Sequence, residues 1–142
     1  VGYPDPSEEE EIVRRTTVGE LPAAARVLDR DQLLAYQRLL RSMPISSDVV
    51  KFAVRLAGAT RPGSTAQAAT WIRWGAGPRA SQYLAIGART WAALHGREVP
   101  TPGDVREIAP AVLSHRIVLS FEAEAAGRTP QDVVAELVKE LA

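Results

Sequence analysis

The 142-residue sequence has no cysteine, two histidines, and two lysines among its seventeen basic residues. Without cysteine there are no disulfides, no thiolate metal sites and no cysteine nucleophile, and a cytoplasmic home is permitted. His95 and His115 fall on different predicted segments, with no His-x-x-Glu or similar cluster, so a zinc site is not expected. No apolar run approaches the roughly 18 residues that a membrane span needs. The opening "VGYPDPSEEEE" is acidic and polar, unlike a signal peptide. No Gly-x-Ser-x-Gly serine-nucleophile signature occurs. One further absence is regional. Residues 49–97 contain no Asp or Glu but seven bases, whereas residues 1–48 hold nine acids and six bases and residues 98–142 eight acids and four bases. The net charge of zero hides a basic middle between acidic flanks. That pattern reads either as a middle region facing something anionic, a bound phosphate group or the chain's own acidic flanks, or as a scatter of solvated arginines.

What is present reads as helices with clear punctuation. Ser7 followed by Glu10 looks like a capping box for "PSEEEEIVRR". Residues 18–27 show no period and read as a linker. Asp29, with Gln32 at the box position, starts a helix whose Leu33, Tyr36, Leu40 and Met43 recur at helical spacing. Pro44 ends it. Ser46 or Ser47 starts another, with Val50, Ala53, Val54 and Ala57 as its stripe. Residues 66–74 read as a short helix. From Pro78, the residues Ala80, Tyr83, Leu84, Gly87, Trp91 and Leu94 share a face, and Gly96 stands at the C-terminal cap. "TPGDV" at 101–105 and "TPQDV" at 129–133 are two copies of one start signal: Thr cap, Pro at the first helical position, Asp at the third. They launch helices through Val105, Ile108 and Val112 and through Val133, Leu137 and Leu141. Pro110 should kink or restart the first. "RIVLS" at 116–120 has strand character but is too little for a sheet. The class is all-α: a small bundle of five to six helices, with 33–43, 49–57, 80–94 and 133–141 contributing to one core.

Two motifs invite chemistry. "GATRPGST" at 58–65 has the glycine spacing of a phosphate-binding P-loop, yet Ser64 stands where the lysine belongs and no strand precedes it, so it reads as a helix–helix loop. "WGAGPRAS" at 74–81 places Gly77 as cap, Pro78 at the first helical position and Arg79 just after it. A helix N-terminus carries partial positive charge and unpaired N–H groups, so a cation there is unfavourable. Either Arg79 turns away to pair with an acid, or the helix start binds an anion that the guanidinium also holds. In the second case Gly75 and Gly77 let the ligand come close. Trp71 and Trp91 read as core. Trp74, beside the glycine-rich turn, fits core or a stacking platform.

"WGAGPRAS" resembles the sensor 2 motif of the MoxR family of AAA+ ATPases, in which a Gly-Ala-Ser/Gly-Pro-Arg-Ala sequence opens a helix of the lid. "VRLAGATR" at 54–61 is similar to the family's preceding helix, and residues 99–134 resemble its carboxyl-terminal signature almost continuously. "GYPDPSEEEEIVRR" is similar to the segment after the arginine finger. The resemblance implies that residues 1–17 are the last helix of an AAA+ core, 18–28 a linker, and 29–142 a C-terminal helical lid of a chain cut from a longer protein. It implies that Arg79 contacts the γ-phosphate of ATP, while Trp74, Gly77 and Pro78 shape the nucleotide-facing turn. This chain has neither Walker A nor Walker B, so it should not hydrolyse ATP alone; the parent would, using ATP and Mg2+ held by its core. The implied partners are that core, neighbouring subunits in a ring-like homo-oligomer, and proteins carrying von Willebrand factor A domains, in chaperone-like maturation. Neither a membrane nor nucleic acid is an expected partner, since the net charge is zero and no recognised nucleic-acid motif occurs. The competing reading is a stand-alone helical protein-interaction module without nucleotide chemistry.

Overall fold

The computed structural model describes residues 2–19 and 23–141. Residues 20–22 of the expected linker lie outside the described residues. The chain divides into two compact units, with the boundary between Leu33 and Leu34.

The first unit contains α1 (Pro6–Thr17). Its cap is Asp5, not Ser7: the Asp5 carboxylate accepts from the backbone N–H groups of Ser7 and Glu8, and Glu8 reaches back to the Asp5 N–H. Pro6 explains the shift, because its fixed φ suits the first helical position and so makes the residue before it the cap. No residue of α1 is buried. Here too begins α2 (Arg30–Ser42), started by the expected Asp29–Gln32 box with both arms in place at 2.9 and 2.8 Å.

The second unit holds the core. Its elements are the rest of α2, α3 (Ser47–Ala59), α4 (Ala66–Trp71), β1 (Ile72–Trp74), α5 (Pro78–Leu94), α6 (Pro102–Leu113), a 3-10 turn, β2 (Val118–Leu119), α7 (Phe121–Ala125) and α8 (Pro130–Glu140). Among the described residues there are thus eight α-helices, two of them a turn or so long. The class is all-α, as read from the sequence. The expected helix over 66–74 stops at Trp71, and Ile72–Trp74 instead pairs antiparallel with Val118–Leu119. Ile72 and Leu119 are partners and both buried, so the two short strands form a clip that closes one side of the core.

α3, α5 and α6 pack on one another, and α8 packs on α6. The buried face of α3 is Val49, Phe52, Ala53, Leu56 and Ala57, with Val50 and Val54 exposed. The larger side chains Phe52 and Leu56 set the face, since they remove most apolar area from water. α5 likewise buries Ala80, Leu84, Ala88 and Ala92 rather than Tyr83 and Leu94, which is 76% exposed. A Cβ on Gly87 would lie 2.8 Å from Ile108 Cδ1, so a side chain of α6 occupies the space beside that glycine. α2 departs furthest from expectation: it buries no residue, and Leu33, Tyr36 and Leu39 are exposed while Leu40 and Met43 are half-buried. An amphipathic period records that a face is apolar, but not that a partner covers it. Trp71 and Trp91 are half-buried, Trp71 beneath the Arg128 guanidinium at 4.7 Å. α6 runs uninterrupted through Pro110.

The start signals behave as read. Thr129 and Asp132 cap α8 reciprocally, and the Asp104 carboxylate accepts from the Thr101 N–H at 2.7 Å and hydroxyl at 3.0 Å. Gly96 takes a positive φ of 70° after α5 and lets the Arg97 N–H reach the Ala92 carbonyl at 2.9 Å. Arg97 then grips Asp104 with both guanidinium nitrogens.

One junction fixes the turn that leads into α5. Thr60, fully buried after the last residue of α3, donates its hydroxyl to the Ala57 carbonyl at 2.7 Å and accepts from the Ala76 N–H at 2.8 Å. Gly75 lies against this same backbone: a Cβ there would sit 2.4 Å from the Thr60 carbonyl oxygen. Gly77 has open space around it. So Gly75 serves internal packing, not the approach of a ligand.

Two outcomes are expected. Gly75→Ala forces backbone to move and should cost about 1–3 kcal/mol, as should Thr60→Val, which leaves the Ala76 N–H unpaired. Gly77→Ala should stay within about 0.5 kcal/mol. Urea melts of the three variants check this, and an unchanged midpoint for Gly75→Ala would contradict the junction. The second concerns acid. Hydrogen bonds from Arg97, opposed by burial and aided by Thr101, hold the Asp104 carboxyl down to about 2 against an ordinary 3.8. A carboxyl depressed in the folded state stabilises fully above the ordinary value and loses that contribution as pH falls toward 2, an effect on the order of 2 kcal/mol. Asp104→Asn should therefore lower stability at neutral pH and flatten its fall between about pH 4 and 2. Thermal melts across that range measure both.

Candidate functional site

Among the described helices, α1, α2, α3, α4, α6, α7 and α8 each start on an Asp, Ser or Thr that bonds a backbone N–H or belongs to a capping box. α5 starts differently. Its cap is Gly77, no side chain satisfies its first turn, and no acid stands there. Pro78 removes one N–H, and the Ala80 N–H closes a tight turn onto the Gly77 carbonyl at 2.9 Å. The positive end of a seventeen-residue helix is thus left open to whatever approaches it. Arg79 is exposed on that end, and among the described residues no acid pairs with it. The turning-away account, with a neighbouring carboxylate as partner, finds no support in this geometry.

Arg79 also lines a groove. With Gln82, Tyr83 and Ile86 it forms the outward face of α5, opposite the alanine stripe in the core, and Gln37 and Arg41 of α2 face it across a space of about 410 Å³. Among the described residues no carboxylate lines this groove. The Arg116 guanidinium lies 5.0 Å over the Tyr83 ring and adds a third cation to its surroundings. An anion in the groove would therefore meet the Arg79 and Arg41 guanidinium groups, neither with an acid partner among the described residues, near the positive end of α5, a setting suited to phosphate oxygens.

The other expected site residues are placed as follows. Gly77 and Pro78 are exposed and shape the start of α5. Trp74 ends β1, is 64% exposed, has Val118 as its cross-strand partner, and does not line the groove. Thr60, Gln37 and Arg41 were not marked by any sequence signal as site residues, and Gly75, marked as a place for a ligand to approach, packs against Thr60 instead. Thr60 and Gly75 act through a contact sixteen and fifteen residues apart in the chain, and Arg41 looks like an ordinary helix-ending cation. His95 bonds the Trp91 carbonyl at the end of α5, and among the described residues no group of His, Asp and Glu is arranged to hold a metal ion. "GATRPGST" is the loop between α3 and α4, and its Ser64 hydroxyl donates to the Ala59 carbonyl at 2.9 Å. No described helix is long and apolar enough to cross a membrane.

Residues 64–137, from that loop into α8, match the AAA lid domain family. The whole chain aligns at 35% identity with the chaperone MoxR1 of Mycobacterium tuberculosis and covers 38% of its length. A 55-residue stretch, 39% of this chain and 16% of the relative, is 49% identical to the protein MoxR of Paracoccus denitrificans. The crystal structure of a Cytophaga hutchinsonii protein assigned as an ATPase superposes on 98% of this chain with a TM-score of 0.80 and 28% identity, and 43% of that protein is covered. The chain thus spans about two-fifths of the relatives it matches from end to end. It belongs to the AAA lid domain family, as a lid of the MoxR-type AAA+ ATPases.

Proposed function

We propose that this lid senses the nucleotide of a MoxR-type AAA+ ATPase, with Arg79 as the sensor 2 arginine. In this reading residues 1–17 close the ATPase core, 18–28 link it to the lid, and 29–142 are the lid. The observation that carries it is the open start of α5: a long helix without a side-chain cap or first-turn acid, whose second residue is an arginine with no acid partner among the described residues. ATP and Mg2+ would be held by the core, which supplies the phosphate loop and metal ligands that this sequence does not contain. Arg79 would hold a γ-phosphate oxygen beside the helix N-terminus and stabilise the charge that shifts during transfer. Phosphoryl transfer depends on positioning and charge stabilisation, so one fixed guanidinium has large leverage. Trp74, Gly77 and Pro78 would set the direction of that turn. Because the turn is tied to α3 through Thr60, a pull on Arg79 would move the lid as a body.

The same reading extends outward. A nucleotide-dependent lid movement would drive chaperone-like remodelling or maturation of partner proteins in the cytoplasm, within a ring-like homo-oligomer, with proteins bearing von Willebrand factor A domains as partners. The similarity to a relative named as a chaperone supports this.

The test is turnover by a protein that carries this lid behind its ATPase core. Arg79→Ala should cut turnover at saturating ATP by the equivalent of roughly 2.7–4 kcal/mol, by analogy with the loss of an oxyanion donor. Arg79→Lys should recover part of it, since an ammonium cannot make the planar two-point contact. Arg73→Ala, exposed on β1 and outside the groove, is the control and should retain turnover and melting temperature. Wild-type turnover in Arg79→Ala would overturn the assignment.

A further inference from the structure

We propose that the groove between α2 and α5 is a clasp that a polyphosphate closes: Arg79 and Arg41 together hold the anion, and its binding seats the 34–42 part of α2 on α5. The proposal rests on the reading of Arg79 above and adds a second arginine and a moving element to it.

Four observations carry it. First, α5 has two working faces. Ala80, Leu84, Ala88 and Ala92 are in the core, while Arg79, Gln82, Tyr83 and Ile86 recur at helical spacing on the other side and line the groove. Second, Gln37 and Arg41, four residues apart and so on one face of α2, line the same groove from across it. Third, the charges there are of one sign. Two guanidinium groups and two amide side chains line the space, and among the described residues no carboxylate does. The groove's volume of about 410 Å³ falls within the roughly 300–1,000 Å³ of small-molecule sites. Fourth, α2 is held weakly. It buries no residue, and within this unit its one half-buried residue is Leu40, with Met43 half-buried just after its end.

The consequence follows from these four. With the groove empty, like charges on α2 and α5 oppose each other's approach, and little buried surface resists their separation. An anion with several oxygens reverses that sign, because it attracts both arginines and gives the two glutamine amides acceptors. A ligand shifts an equilibrium by its differential affinity for the two states. A weakly seated helix carrying one of the binding cations is the element such a ligand can move. The triphosphate of a nucleotide supplies the anion in the proposed function. Tripolyphosphate isolates that chemistry from base and sugar.

The experiment is amide hydrogen exchange on this 142-residue chain with and without millimolar tripolyphosphate, in wild type, Arg41→Ala, Arg79→Ala and the Arg73→Ala control. All three arginines are exposed, so folding should survive each change. Tripolyphosphate should slow exchange of α2 amides at least fivefold in wild type and in Arg73→Ala, and by less than twofold in Arg41→Ala and Arg79→Ala. Sodium chloride at matched ionic strength should not reproduce the protection. No protection in wild type, or protection that survives Arg41→Ala, overturns the clasp. The failure can be told from failure of the sensor assignment. If Arg79→Ala abolishes ATP turnover while α2 protection ignores Arg41, the clasp falls and the sensor stands. If protection needs both arginines while Arg79→Ala retains turnover, the groove binds anions and the sensor falls.

Discussion

The hydroxyl of Thr60 is the point on which the candidate site depends. It donates into the end of α3 and accepts from Ala76, one residue before the cap of α5. A buried hydroxyl that satisfies a carbonyl and an N–H at once costs nothing in unpaired polar groups and leaves the turn little freedom. Gly75 makes the arrangement possible, since any side chain there would strike the Thr60 backbone. Arg61 adds a longer contact to the Ala76 carbonyl. α3 is among the most buried elements of the unit, so the turn takes its position from the core itself. An exposed arginine is normally placed by nothing but its own rotamers. Here the backbone beneath Arg79 is held by a buried network.

The second constraint is the thinness of the contact between α5 and α6. The alanines of α5 and the bare Gly87 under Ile108 let the two helix backbones approach closely. Close approach gives many weak dispersion contacts in place of a few large side chains. It also frees the bulkier Tyr83 and Ile86 for the opposite face, where they line the groove with Arg79. One helix thereby serves as core on one side and lines the groove on the other.

The acid-free stretch of the sequence divides between internal and external use. Arg97 goes to Asp104, in the acidic segment that follows, and Arg55 donates to the Leu141 carbonyl and lies over Phe52. Arg61 faces the Ala76 carbonyl. Arg73 and Arg79 are exposed, with no acid partner among the described residues. The acidic flank thus accounts for Arg97, backbone carbonyls for Arg55 and Arg61, and the exposed Arg73 and Arg79 are left without an acid among the described residues.

The sequence by itself determined where most of the longer helices begin and several of the ends. Asp29 with Gln32, Thr101 with Asp104, Thr129 with Asp132, and Gly96 at positive φ are local devices whose partners lie within five residues. Capping is short-range chemistry, so it is legible without the fold. It also carried the all-α class and the start of α5 at Pro78. Tertiary structure decided everything that needed a distant neighbour. Ile72–Trp74 became a strand because Val118–Leu119 was there to pair with it, although neither segment alone has the length of a typical strand. The buried faces of α3 and α5 were set by how closely their neighbours approach, which hydrophobic period cannot report. α2 has the period of a core helix and is not one. Thr60 and Arg41 carry no local signature at all, and the signature of Gly75 pointed to a ligand and not to packing; their roles arise where backbone from elsewhere in the chain comes within a few ångströms of them, or where two helices face one groove.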